Sequence, residues 1–361
     1  MSNPYLSQPV KAFWSRSVSR NFDAATLASS SGESGIFSSD DRVVSAGSCF
    51  ASNLIPWIEQ AGLEYIRTEE LPLPFQGLEE NLGYRNFSAG YGNIYTARHL
   101  RQLYEEALGL RKPVEDRWYV DGKVIDPFRP GLAFPAYTDY EFDLLRKQHL
   151  DATAQAFHSA SVFVFTLGLT EAWRSTKDGS VFPACPGTVS GTYDESSHEF
   201  VNFTADEIAD DVIAFINLVR EKNPKLKFVI TVSPVPLVAT ATDSHVLVAS
   251  TYSKAVLRVA ANRICTEVTN VVYFPAFEII TGPQAPFDFF EKDRRNVSQA
   301  GVTVVMEALL SGVSFKSSEI GDQDPDSQKT QGKSKLSKLT SEISRRLSKA
   351  ECDEAMMDPN L

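Results

Sequence analysis

The chain has 361 residues, 43% hydrophobic and 22% charged, with a formal net charge of −11. That is enough apolar material for one large domain or two ordinary ones, and the acidic balance argues against a broad nucleic-acid footprint, which needs a basic surface. Cys49, Cys185, Cys265 and Cys352 show no C-x-x-C spacing and no cluster with histidine, so neither a zinc site nor a disulfide framework is expected.

Residues 1–41 are polar and Ser-rich and read as an irregular lead-in. They contain no apolar run of the signal-peptide kind, and no stretch of about 18 apolar residues predicts a membrane span. A cytoplasmic location is the expectation. "RVVSAG" then reads as a short buried strand, and "SNLIPWIEQAG" as a helix with Leu54, Ile55, Ile58 and Ala61 on one face. Residues 65–160 read as a long insertion. It holds a helix in "YGNIYTARHLRQLYEEALG" stopped by Gly109, a hairpin around Asp121-Gly122, and an amphipathic helix in "DYEFDLLRKQHLDATAQAFHSA".

"SVFVFTLGL" is continuous and β-branched or aromatic, as a strand covered on both faces should be. A polar loop with a second hairpin signal at Asp178-Gly179 follows it. "TADEIADDVIAFINLVREKN" opens with Thr204 and Glu207 at capping-box spacing. "KLKFVITVSPVPL" predicts the third core strand, "VASTYSKAVLRVAANRI" a helix, "VVYFPAFEII" the fourth strand, and "SQAGVTVVMEALL" a last helix capped by Ser298. Residues 313–361 form a polar, low-complexity tail. Its composition predicts a solvated, largely disordered segment, while Leu336, Leu339, Ile343 and Leu347 fall at helical spacing, which suits the alternative of a short amphipathic helix docking on a protein partner. The domain proper is thus expected at 42–312.

Strands alternating with helices predict a parallel, doubly wound α/β sheet. Such sheets bind ligands beyond the carboxyl ends of their strands. Those ends carry Ser48, Thr170-Glu171, Ser233-Pro234 and Glu278. Ser48 has two readings. It caps the following helix, or it is a nucleophile whose oxyanion would be met by the free N–H groups of the helix start. Cys49 beside it is either an inert small residue or a thiol activated by the same helix start.

Five blocks carry a family resemblance: "GSCFA" (47–51), "GNIYTARHL" (92–100), "TLGLTEAW" (166–173), "TVSPVPL" (231–237) and "YSKAVLR" (252–258). In this order they resemble the GSCFA family over roughly residues 40–310, and that family resembles the SGNH (GDSL-like) hydrolases. The resemblance implies a flavodoxin-like, three-layer fold and an esterase or acyl-ester-transferring activity, with no metal or nucleotide cofactor. It casts Ser48 as nucleophile, and Gly92, Asn93 and Thr170 as oxyanion donors.

The sequence departs from the pattern at its end. The Asp-x-x-His expected before the final helix reads Asp293 to Asn296, and an amide is no base near neutral pH. Among the five histidines, His99 and His149 read as surface or packing residues, His158 ends a helix and His198 lies in a polar loop. His245 follows the third strand on the same rim as Ser48, so it is the candidate base, with Asp293 or Asp243 orienting it. Lys254 is on the helix after it. Glu171 is a secondary base candidate, and Arg294 and Arg295 could hold an anionic substrate group. Two functions follow. One is an SGNH-like serine esterase or O-acyltransferase acting on small acyl esters, acetyl above all, of a carbohydrate. The other is a catalytically degenerate member that binds a glycan or a protein in the same cleft.

Overall fold

A computed structural model describes residues 3–29, 36–71, 82–132, 134–311 and 313; the Cys49 side chain and the tail, with its candidate amphipathic helix, lie outside the described atoms. The strands are β1 (Arg42–Ala46), β2 (Glu64–Tyr65), β3 (Trp118–Val120), β4 (Lys123–Ile125), β5 (Val162–Leu167), β6 (Glu171–Ser175), β7 (Val181–Phe182), β8 (His198–Asn202), β9 (Lys227–Val232) and β10 (Val271–Phe274). The helices are α1 (Trp14–Ser17), α2 (Ala24–Ser29), α3 (Cys49–Ser52), α4 (Leu54–Gln60), α5 (Ala97–Ala107), α6 (Asp139–Ser159), α7 (Ala205–Lys222), α8 (Val246–Glu267), α9 (Ala276–Thr281) and α10 (Gln299–Leu309). None of the described helices is long and apolar enough to cross a membrane.

The central sheet runs β2-β1-β5-β9-β10, and every neighbouring pair is parallel. Counting only these strands, the order is second, first, third, fourth, fifth. The connections therefore diverge between β1 and β5, and a crevice opens at their carboxyl ends. Alternate side chains face opposite layers. Val44, Phe163, Phe165, Phe228 and Ile230 pack on residues of α5, α6, α7 and α8. Val43, Val162, Val164, Val229 and Phe274 pack on α2, α4, α9 and α10. Burial on both faces explains why β5 is apolar along nearly its whole length. A second, antiparallel sheet, β7-β6-β8, is inserted after β5. Its two ends meet where Phe203 N–H donates to Thr170 O at 2.8 Å.

Local signals hold at several points. Thr204 and Glu207 close a capping box, and Ser298 accepts from the Gly301 N–H. Asp121 (φ 48) and Gly122 (φ 73) form the β3–β4 turn with both dihedrals positive, as a two-residue hairpin turn requires. Four expectations are corrected. The start of the expected insertion is the strand β2, which pairs with β1 through Arg42–Glu64 and Val43–Tyr65. The first helix is two pieces, because Pro56 has no N–H to offer Ser52 and the helix breaks at Asn53. The helix after Gly92-Asn93 spans only Ala97–Ala107. The last strand stops at Phe274, where Pro275 cannot continue the ladder, so Glu278 lies on α9 and not at a strand end.

Candidate active site

At the end of β1 the chain passes extremely close to β5. A Cβ on Gly47 would meet Thr166 Cβ at 2.8 Å and Thr166 O at 2.9 Å, and Gly47 has φ +150. Only glycine suits that contact. Ser48 follows in extended conformation (φ −77, ψ −179) as the N-cap residue of α3, yet its hydroxyl makes no capping bond. Ser48 is 4% exposed, and its Oγ has no hydrogen-bond partner among the described residues. Buried hydroxyls are rarely left so. The helix behind it is one turn long, so its dipole adds little and the bare N–H groups are what it offers an oxyanion.

The sequence blocks meet here through backbone bonds. Ile94 N–H donates to Gly47 O at 2.8 Å, which sets Gly92 and Asn93 beside Ser48. Gly92 has φ +65, in the left-handed region that favours glycine. Tyr95 O accepts from Gly168 N–H (3.2 Å) and Leu169 N–H (3.0 Å). Ser233 N–H reaches Leu167 O at 2.9 Å, and Leu237 N–H reaches Ser250 Oγ at 3.0 Å. Lys254, itself 4% exposed, donates from Nζ to Gly168 O at 2.7 Å.

The other predicted residues divide sharply. Thr170 is not aimed as an oxyanion donor: its N–H and hydroxyl both reach Ser253 Oγ, at 3.3 and 3.1 Å. Glu171 accepts from Thr240 Oγ1 (2.7 Å) and Ala241 N–H (3.3 Å), tying the loop after β9 to β6. His245 is exposed and caps α8, its Nδ1 accepting from Leu247 N–H at 3.2 Å. Asp243 is exposed two residues before it. Asp293 and Asn296 share an exposed turn in which Asn296 Nδ2 donates to Asp293 Oδ2 at 2.6 Å. Arg294 donates to Phe287 O and stacks 3.5 Å from the Phe287 ring centre. No imidazole hydrogen-bonds to Ser48, so the structure does not join Ser48, His245 and Asp293 into a relay.

His99 and His149, expected as surface or packing residues, are both buried and belong to a charged cluster that spacing did not reveal. Glu69 accepts from Arg129 Nη1 (3.0 Å), and His149 Nδ1 lies 2.7 Å from its carboxylate. Arg129 pairs with Asp126 (3.1 Å), Asp126 with Arg146 (2.8 Å), and Arg146 with Glu106. Burial opposes ionisation of Glu69, but His149 and Arg129 hold its carboxyl down at about 2. Burial pushes Glu106 up to about 7 and His99 down to about 4. The cluster fixes the chain entering the site: Gly90 N–H donates to Glu69 Oε2 (2.7 Å) and Gly90 O accepts from Arg129 (3.3 Å), two residues before Gly92. Partners up to 80 residues apart leave no local signal. Elsewhere His158 faces Tyr104 and His198 faces Glu115, each in a structural contact. Among the described residues no group of His, Cys, Asp and Glu could hold a metal ion.

A family model described as the GSCFA family matches residues 42–309. No curated protein matches the chain. Among solved structures, a carbohydrate esterase family 3 from Talaromyces cellulolyticus is similar at 11% identity and a TM-score of 0.33, over 75% of this chain and 95% of that one.

Proposed function

The chain belongs to the GSCFA family, and on that premise we propose that it is an SGNH-like serine esterase or O-acyltransferase acting on acyl esters of a carbohydrate. The observation that carries this reading is the Ser48 hydroxyl, buried and unpartnered at the switch point of the sheet. Ser48 Oγ attacks the ester carbonyl. Its own N–H, Gly92 N–H and the Asn93 side chain receive the oxyanion. The tetrahedral intermediate expels the ester's alcohol, which takes the proton lost by Ser48, and the acyl-enzyme is then attacked by water in hydrolysis or by a sugar hydroxyl in transfer. His245 takes the Ser48 proton in a closed state, with Asp293 or Asp243 orienting it. For Nε2 to act as the base, Nδ1 must carry the ring proton, so its cap on Leu247 has to break.

A second reading has its own support. Asn296 makes with Asp293 the contact a triad histidine would make, but cannot take a proton, and His245 is engaged elsewhere. That arrangement suits a degenerate member that binds a glycan or a protein in the cleft. Labelling with a fluorophosphonate probe separates the two. The expected result is a mass increment mapped to Ser48, lost in Ser48→Ala, retained in Cys49→Ala and much slowed in His245→Ala. A folded wild type that takes no label, or a label that survives Ser48→Ala, rules out the serine mechanism.

A further inference from the structure

Beside the Ser48 rim lies an open pocket of about 190 Å³, walled by Trp173, Phe182 and Phe200 of the second sheet and by Leu169 and Leu237. The three aromatics face one another across the sheet, Trp173 opposite Phe182 on one side and Phe200 on the other. Glu171 closes the rim by holding Thr240 and Ala241 of the facing loop.

The side-chain hydroxyls that line the pocket are already engaged. The Thr240 hydroxyl donates to Glu171 (2.7 Å), and the Thr188 hydroxyl donates to Cys185 O (2.7 Å). Burial pushes the Cys185 thiol up to about 11, so it stays neutral. Glu171 uses its two oxygens on the loop, and its charge would repel a second carboxylate. A sugar ring would leave its hydroxyls unpaired here. An apolar group would not, and a cavity of about 150 Å³ lined by apolar side chains is known to take benzene.

Position agrees with chemistry. Gly47 packs against Thr166 of β5, and the chain leaves β5 at Leu167 and reaches Leu169 in the pocket wall two residues later. Three extended residues span about 10 Å, the reach of a medium-length acyl chain. Tyr95 O fixes Leu169 against the block that holds Gly92 and Asn93. We propose that this pocket binds the acyl chain of the ester, and that the chain is neutral, apolar and of medium length rather than acetyl. This rests on the ester-processing reading for the identity of the ligand, though not for the existence of the site.

The test measures binding without turnover. Octanamide, acetamide and succinamate are titrated calorimetrically into wild type, Ser48→Ala and Ala239→Phe, the last plugging the pocket from a half-buried loop position. Each methylene buried strengthens binding by about fourfold at most. Octanamide should therefore bind at least about tenfold tighter than acetamide in wild type and Ser48→Ala. Ala239→Phe should abolish the preference, and succinamate should gain nothing over acetamide. Thr188→Phe plugs the pocket from the other side, should Ala239→Phe fail to fold. Equal binding of octanamide and acetamide, or a preference that survives a folded plug variant, overturns the proposal. Esterase activity without chain-length preference sinks the pocket alone. Preference without serine labelling sinks the serine mechanism alone.

Discussion

Arg129→Met tests whether the buried charge cluster holds up the site loop. Arg129 is 5% exposed in its side chain and is the link between Glu69, 2% exposed, and Asp126. Asp126 keeps Arg146 when Arg129 is lost, but Glu69 keeps only His149 and the Gly90 N–H. Burial and Arg129 both lower the His149 pKa, so with Arg129 gone His149 takes a proton more readily and offsets part of the charge left on Glu69. Breaking a buried pair from one side costs about 3–5 kcal/mol. Linkage gives a second route to the magnitude. The Glu69 carboxyl is lowered from 4.5 to about 2, and at 1.36 kcal/mol per unit that difference is about 3 kcal/mol. That figure covers all the partners of Glu69, His149 first and Arg129 second, so Arg129 alone accounts for only part of it.

The sign is fixed by the direction of the shift. A carboxyl lowered on folding stabilises above its unfolded value near 4.5, and that stability drains away as pH falls toward about 2. Urea unfolding of wild type and Arg129→Met should thus differ at pH 7 by about 3 kcal/mol, the low end of that range because His149 stays against Glu69, and the gap should narrow below pH ~4.5. Glu69→Gln combined with Arg129→Met should recover part of the loss, because no bare charge remains buried. A pH 7 difference under about 1 kcal/mol, constant with pH, would show that Glu69 is solvated and that the cluster holds nothing.

Gly47→Ala should be severely destabilising, by about 2–5 kcal/mol in a denaturant midpoint shift, because the added methyl meets Thr166 and φ is +150. A wild-type midpoint would mean that β1 and β5 do not approach as described. Glu106, pushed up to about 7 by burial, works in the opposite sense to Glu69. Burial is the main cause, the Asp126 carboxylate nearby adds to it, and Arg146 opposes both. The stability Glu106 contributes is complete below pH ~4.5 and falls as pH rises to about 7, by about 3 kcal/mol. Glu106→Gln should flatten that slope in pH-dependent urea melts, and an unchanged slope would place the titration elsewhere.

The strands of the core were legible wherever burial on both faces made them apolar, as in β5 and β9. β2 was not, because two residues carry no periodicity and pair only through their neighbour β1. Pro275 was visible as a stop but lay inside an apolar run, and the run was read through it. Ser48 was placed correctly at the rim, since a strand followed by Gly-Ser and a helix has few ways to turn. His245 was picked as base from its place after the third strand, but the helix-capping bond that occupies its Nδ1 could not be read from that spacing. Thr170 was misread for a related reason: its partner Ser253 is 83 residues away.

The matching blocks owe much of their character to joinery. Gly47 lets two strands touch, Ile94 and Tyr95 stitch the second block between the first and third, and Ser253 and Lys254 clamp the end of β5 from α8. A chain can satisfy every one of those requirements and still lack a proton acceptor. The family match therefore speaks for the scaffold, while the chemistry rests on what comes near one unpartnered hydroxyl. Exposed His245 needs a broken cap to reach that role, and Asn296 can orient but not deprotonate. Labelling at Ser48 and its response to His245→Ala bear on that step directly, whereas disrupting a joint would lower activity under either reading through the fold alone.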